Sequence, residues 1–570
     1  MAPRPLTTAR RIGGLTSPSA PRTSAPLRQE RGSQPCQRVA GTNSAVMTKA
    51  EVPEARPEPV PVSDETRRRL APRLPLDGWR SWLATAGVVL VAGILRFVDL
   101  SKPKGQIFDE IYYAVDALHL LQHGVEWDNN SNTGSFVVHP PLGKWIIGAG
   151  EKLFGYNEFG WRVSAAVAGT LAVLLVTRLA RRLFRSTVLG CAAGLLMAMD
   201  GFQFVLSRVA LLDIFLLFFV LLSFYCLVLD RDQRRLRWLR ALENGLDPTA
   251  PGRAGRPPFA VPWWRLAAGV MIGCAMSVKW SALWYIILFI GLIYLWEVGA
   301  RKSAGVPHRF RDTLLDETGW VALFGLVLVL TYLGSWTGWF VTSNGWDRHW
   351  LQSHGHSEPP IIGPLVNLYQ YHREALHFHD TLTTPHTYQS WPWQWLLLGR
   401  PVAFYYNSNG PCGGPTCSSE VLLLGTPVLW WSFIPALCGL AWFGISRRDW
   451  RALAIGLGVL AGIVPWFPYQ VDHRTMFYFY IAPAEPFLIL AVVYVLGALI
   501  TAVPRPGVTH SPGGMELLEP ADRRLMGAVF AGAYVLAVAV IFWYFYPIYV
   551  GKIITYAQWQ ARMWLGGRWI

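Results

Sequence analysis

The chain has 570 residues, 52% of them hydrophobic and only 15% charged, with a positive mean hydropathy; an ordinary soluble protein of this length is far more polar, so the composition places the chain in a bilayer. A net charge of +15 would indicate nucleic acid if it gathered on one soluble face, but the basic residues are divided among loops between apolar runs, which excludes that partner.

Residues 1 to about 75 are rich in Pro, Arg, Ser and Thr without apolar periodicity, and the expectation is a disordered cytoplasmic tail, with Met47 a second plausible start and residues 76–570 the membrane domain. A hydrocarbon layer of about 30 Å needs about 20 apolar residues per crossing. Runs of that kind fall near 81–100, 161–180, 187–206, 209–229, 264–281, 282–298, 318–340, 420–444, 452–468, 476–500 and 525–547, predicting an all-α bundle of about eleven membrane helices. If the tail is inside, every inner segment is basic: Arg178, Arg181, Arg182 and Arg185 in one, eight Arg between 231 and 265 in the next, then Arg301, Lys302, Arg309 and Arg311, then Arg447, Arg448 and Arg451. The two long outer segments, 101–160 and 341–419, are poorer in basic residues, and an odd number of spans puts the C-terminus outside.

The outer segments carry the chemistry. The first begins KGQIFDEIYYAVDALHLLQHG, where Asp109 and Glu110 either cap a helix through its dipole or supply a working carboxylate. It ends SFVVHPPLGKWIIGAGEKLFG; Pro140 and Pro141 stiffen the backbone beside His139 and Lys144, which makes either an interfacial turn or a rigid edge of a site. In LSRVALLDIFLLFF, Arg208 and Asp213 flank the start of a span, as a structural Arg–Asp pair or as functional charges. Lys279 in MSVKWSALW and Arg474 in QVDHRTMFYFY lie on the same predicted side. In the second outer segment Cys412 and Cys417 form CGGPTC, a disulfide candidate, since no second pair stands at zinc-ligand spacing. His349, His354, His356, His372, His377 and His379 crowd that segment without a mechanism that needs a metal. A carboxylate and several cations at one membrane face suit transfer from a glycosyl phosphate: the acceptor hydroxyl needs a base, while the departing phosphate needs positive charge rather than a second acid.

FDEIYYA, VHPPLGKW, LSRVALLDIFLLFF and SVKWSALW resemble the protein O-mannosyltransferases, within the GT-C class of membrane glycosyltransferases, and the likeness runs from about residue 81 to the end. The resemblance implies a GT-C bundle with two long extracytoplasmic loops bearing short helices. It also implies inverting transfer of mannose from polyprenyl-phosphate mannose to Ser or Thr of exported polypeptides, without a cofactor, at the outer face of the cell membrane and close to the export machinery. By the same resemblance Asp109 is the base within the acidic pair Asp109–Glu110, and His139, Lys144, Arg208, Asp213 and Lys279 fall on its motifs; Arg474 matches the family more weakly and is expected to be a phosphate partner mainly because it is a cation at the outer face. The loop after the seventh span has only about 80 residues, too few for the soluble β-trefoil module of eukaryotic members. Two other readings stay open: a GT-C transferase acting on lipid or cell-wall glycan, and a transporter, which commonly shows internal repeats that this sequence lacks.

Overall fold

The computed structural model describes residues 62–71, 75–500 and 520–569. Met47 and most of the expected tail lie outside the described residues. Within the expected tail, Asp64–Leu70 is a helix: the Ser63 side chain accepts from the Thr66 N–H at its start, and Leu70 is buried among Trp238, Leu239 and Ala300.

Among the described residues nine helices are long and apolar enough to cross a membrane, and two shorter apolar helices, Thr187–Ala198 and Trp263–Met276, stand at the other two expected places. Glu158–Phe184, Asp213–Glu243 and Tyr478–Ile500 form the centre, with 61%, 72% and 72% of their apolar windows buried, whereas Arg309–Ser335 has 11% buried and faces outward. Asp213–Glu243 has 31 residues, about 46 Å of helix, so its Arg-rich end extends beyond the hydrocarbon. Caps set where the helices begin: the Asn157 side chain accepts from Phe159 N–H and Gly160 N–H, and that of Ser186 accepts from Leu189 N–H.

Two expected spans are corrected. Residues 187–206 form two helices, Thr187–Ala198 and Gly201–Leu206, broken at Asp200, whose buried carboxylate accepts from Thr426 N–H and Trp430 Nε1 at 2.9 Å each. Gly201 sits so close to Tyr549 and the Leu424 carbonyl that a Cβ would overlap them. The run 420–444 becomes helical only at Pro427; Cys417–Leu423 is a strand paired antiparallel with Val402–Asn407 and, through Cys417 and Ser418, with Ile554–Thr555. A short apolar run buried on both faces has no periodicity to separate strand from helix. Cys412 and Cys417 are disulfide-bonded in the hairpin between the first two of these strands.

The segment 101–160 carries helices Glu110–His123 and Leu142–Phe154, and 341–419 carries Ile362–Thr381, all at the end of the bundle where Lys279 precedes the Trp280–Ala304 span.

Candidate active site

The acidic pair divides at a forced turn. Phe108 adopts φ +50°, a left-handed conformation that costs a non-glycine residue of order 1–3 kcal/mol. It is held by stacking on Phe404 at 4.5 Å and edge-on against Phe479 at 5.9 Å. Beyond this turn the two carboxylates go separate ways.

Glu110 is fully buried and its oxygens are taken. They accept from Arg162 Nε and Nη2 at 2.8 Å each, from Ile107 N–H at 3.0 Å and from Ala210 N–H at 3.0 Å. Arg162, also fully buried, gives its remaining protons to the carbonyls of Leu100, Pro103 and Gly105, so one ion pair fastens the 101–110 loop to two spans. Asp109 stands at the N-terminus of Glu110–His123 but makes no capping bond, and its carboxylate accepts no hydrogen bond from the described residues. Burial raises its pKa to about 6, against the attraction of Lys279, with Asp213 adding repulsion.

Arg208 and Asp213 do not pair. Arg208 donates to the carbonyls of Leu95, Arg96, Val98 and Asp99 at 2.8 to 3.2 Å, closing the C-terminal end of Gly78–Phe97 with a cation, where the helix dipole favours one. Asp213 instead accepts from Lys279 Nζ at 2.7 Å. Lys279 reaches it because the Trp263–Met276 helix ends at Met276 and Lys279 is extended, at φ −148° and ψ 140°.

Lys279 and Asp213 line a cavity of about 190 Å³ with His139, Trp280, His379, Tyr480 and Arg474. Arg474 is nearly buried, yet has no carboxylate within 4 Å among the described residues; it donates to the carbonyls of His379 at 2.8 Å and Thr475 at 3.2 Å. The His379 ring meets the Val138 carbonyl through Nε2 at 3.2 Å and Arg474 Nη2 through Nδ1 at 3.4 Å. A carbonyl can only accept, so the proton sits on Nε2 and the Nδ1 lone pair faces the guanidinium. Burial lowers the His379 pKa to about 4 and holds His139 well below the imidazole range, an effect to which Lys279 and the other nearby cations add, so both rings are neutral at pH 7. Of the two cations in the lining, Lys279 is paired with Asp213, whereas Arg474 has no carboxylate within 4 Å among the described residues; Asp380 also lines the cavity but makes no ion pair with Arg474.

Lys144 lies apart from this lining, buried against Glu126 and 3.8 Å from Asp116, and braces the first loop. Of the other loop histidines, His349 meets Glu358 and His372 meets Tyr332. His379 and Arg162 are the residues the motifs did not single out. Both left a signal: His379 follows His372 by seven residues, on one helix face, and Arg162 is a lone cation early in an apolar run.

Residues 87–245 match the family model described as dolichyl-phosphate-mannose-protein mannosyltransferase, and residues 364–569 match that of the C-terminal four TMM region of protein-O-mannosyltransferase. The chain is 40% identical over 504 residues to a polyprenol-phosphate-mannose–protein mannosyltransferase of Mycolicibacterium smegmatis (strain MKD8), covering 86% of this chain and 93% of that one. It is 36% identical over 530 residues to the protein of the same name from Mycobacterium tuberculosis (strain CDC 1551), covering 90% and 95%. The S. cerevisiae Pmt1-Pmt2 complex bound to the sugar donor superposes with a TM-score of 0.64 over 89% of this chain and 94% of the matched chain; at 15% identity this is a likeness of fold.

Proposed function

The chain belongs to the protein O-mannosyltransferase family, and from that premise we propose that it moves mannose from a polyprenyl-phosphate carrier to Ser or Thr hydroxyls of polypeptides, with Asp109 as base and Arg474 as phosphate partner. The observation that carries this reading is the contrast between the two adjacent acids: Glu110 is saturated by Arg162, while the Asp109 carboxylate accepts no hydrogen bond from the described residues and feels the charges of Lys279 and Asp213, which line a cavity with Arg474.

In this reading Asp109 takes the proton of the acceptor hydroxyl as its oxygen attacks C1 of the mannose. The bond from C1 to the phosphate oxygen breaks, and its electron pair leaves with the polyprenyl phosphate, inverting the sugar carbon. Charge grows on the phosphate in the transition state, so a cation placed there accelerates the step without a second acid. Arg474 is suited to that role because no carboxylate of the described residues lies within 4 Å of it, whereas Lys279 already serves Asp213. His379 acts through Arg474 as a positioning residue. The mechanism calls on no cofactor or metal.

Arg474→Gln is expected to lower kcat about a hundredfold, with a smaller rise in donor KM, because the lost charge matters most when the phosphate departs. Arg474→Lys should recover part of the rate. Equal losses in both variants, confined to donor KM, would assign Arg474 to ground-state binding alone.

The basic residues at the opposite end of the bundle, Arg234, Arg265 and Arg301 among them, support an extracytoplasmic site, a cytoplasmic N-terminus and an extracytoplasmic C-terminus. A substrate in transit to that side would meet the enzyme near the export machinery. The function is tested by giving membranes that contain the chain labelled polyprenyl-phosphate mannose and a Ser/Thr peptide. Label is expected in the peptide, and none when Ala replaces its Ser and Thr. Label in glycolipid alone overturns the reading in favour of a glycan transferase.

A further inference from the structure

At the other end of the Trp280–Ala304 span, 22 residues or about 33 Å along the helix from Lys279, lies a second cavity of about 410 Å³. It opens between the end of Asp213–Glu243, the 253–260 loop and the start of Arg309–Ser335.

Its charges can be sorted by their partners. Glu317 takes Arg265 at 2.8 Å and Arg301 at 2.9 Å, Asp316 takes Arg256, Glu297 takes Arg234 at 2.6 Å, and Asp230 takes Arg265 at 2.9 Å. Four carboxylates thus balance four guanidinium groups in a paired scaffold; Arg234, Arg256, Arg301, Asp316 and Glu317 of this scaffold line the cavity, while Asp230, Arg265 and Glu297 lie behind them. Two cations of the lining remain outside the balance. Arg237 donates to the Pro258 carbonyl, and Arg253 stands exposed at the rim; neither has a carboxylate within 4 Å among the described residues. Trp320 and Phe259, with ring centres 5.7 Å apart, supply an apolar wall, and Phe259 is 78% exposed.

A concave site with two uncompensated guanidinium groups over a neutral scaffold has the charge of a phosphate monoester's counterpart, since that group carries about −1.5 to −2 near neutral pH and offers three acceptor oxygens to arginine forks. We propose that this cavity binds a phosphate monoester, held by Arg237 and Arg253, at the membrane face opposite the transfer site. The aromatic wall lets the phosphate arrive as a lipid headgroup, and the rim is open enough for a soluble phosphate.

The full-length protein is purified into phosphatidylcholine nanodiscs with or without phosphatidic acid, and inorganic phosphate is titrated separately into the discs that lack it. Phosphatidic acid, inorganic phosphate or both are expected to raise the melting midpoint by about 2–4 °C. A response to the lipid alone identifies the headgroup as the source, and a response to inorganic phosphate identifies a soluble one. Arg253→Gln should weaken the shift, and the Arg237→Gln/Arg253→Gln pair should abolish it, with peptide mannosylation unchanged in phosphatidylcholine. Because Arg253 is exposed, its single variant keeps the test independent of folding. No shift with either probe, or a full shift in the double variant, overturns the proposal.

Discussion

Asp109→Asn is expected to lower the turnover of peptide mannosylation by about 10²–10⁴-fold, the range of a general base, with protein yield and donor affinity close to those of the parent. The substitution preserves size and removes the ability to accept the hydroxyl proton. The fold has little to lose, because the Asp109 carboxylate accepts no hydrogen bond from the described residues, and its burial disfavours the charged form. Turnover is measured under saturating donor and peptide, beside a melting curve. A variant that is inactive because it is unfolded would reveal itself in the melt, and near-normal turnover would remove Asp109 from the mechanism.

The adjacent acid should behave in the opposite way. Arg162→Met strands Glu110 as an unpaired buried charge, which is expected to destabilise the protein by about 3–5 kcal/mol. The same change strips a donor from the carbonyls of Leu100, Pro103 and Gly105, so the 101–110 loop loses its fastening. Reduced yield and a lower melting temperature are therefore expected. Glu110→Gln is the milder companion: it removes the charge but keeps one amide oxygen, which can accept from the N–H of Ile107 or that of Ala210, though not from both, since they bond different carboxylate oxygens. Its surviving fraction should turn over substrate at a rate far nearer the parent's than that of Asp109→Asn. If Glu110→Gln were stable and as inactive as Asp109→Asn, the two acids would share the chemistry.

The membrane bundle was legible because the spans announce themselves by length and apolarity, which need no knowledge of partners. The start of the 420–444 run is a strand rather than a helix because an apolar run buried on both faces looks the same whether it is extended or helical, and the 187–206 run hides its break because Asp200 is satisfied by Thr426 and Trp430, more than 220 residues later. The site shows the same limit. Motifs marked Asp109, Asp213 and Lys279, but proximity in sequence invited the pair Arg208–Asp213, whereas the chain brings Lys279 to Asp213 from 66 residues away and turns Arg208 onto carbonyls of another helix. Nothing in DE as a dipeptide says which acid is tied down; that depends on Arg162, 52 residues on. The sequence marks Arg474 as a cation at the outer face, but that no carboxylate of the described residues lies within 4 Å of it depends on the fold.

The most direct test of the central claim is the pH dependence of kcat/KM for the peptide, which reports the free enzyme's base. Burial raises the Asp109 carboxyl to about 6, above the ordinary aspartate range, and a base works only when deprotonated, so activity must fall as pH drops through that value. The parent enzyme is expected to lose about tenfold per pH unit below about pH 6, and the residual activity of Asp109→Asn to lack that limb. A parent profile flat from about pH 7 to about pH 5, or the same limb persisting in Asp109→Asn, would contradict Asp109 as the base.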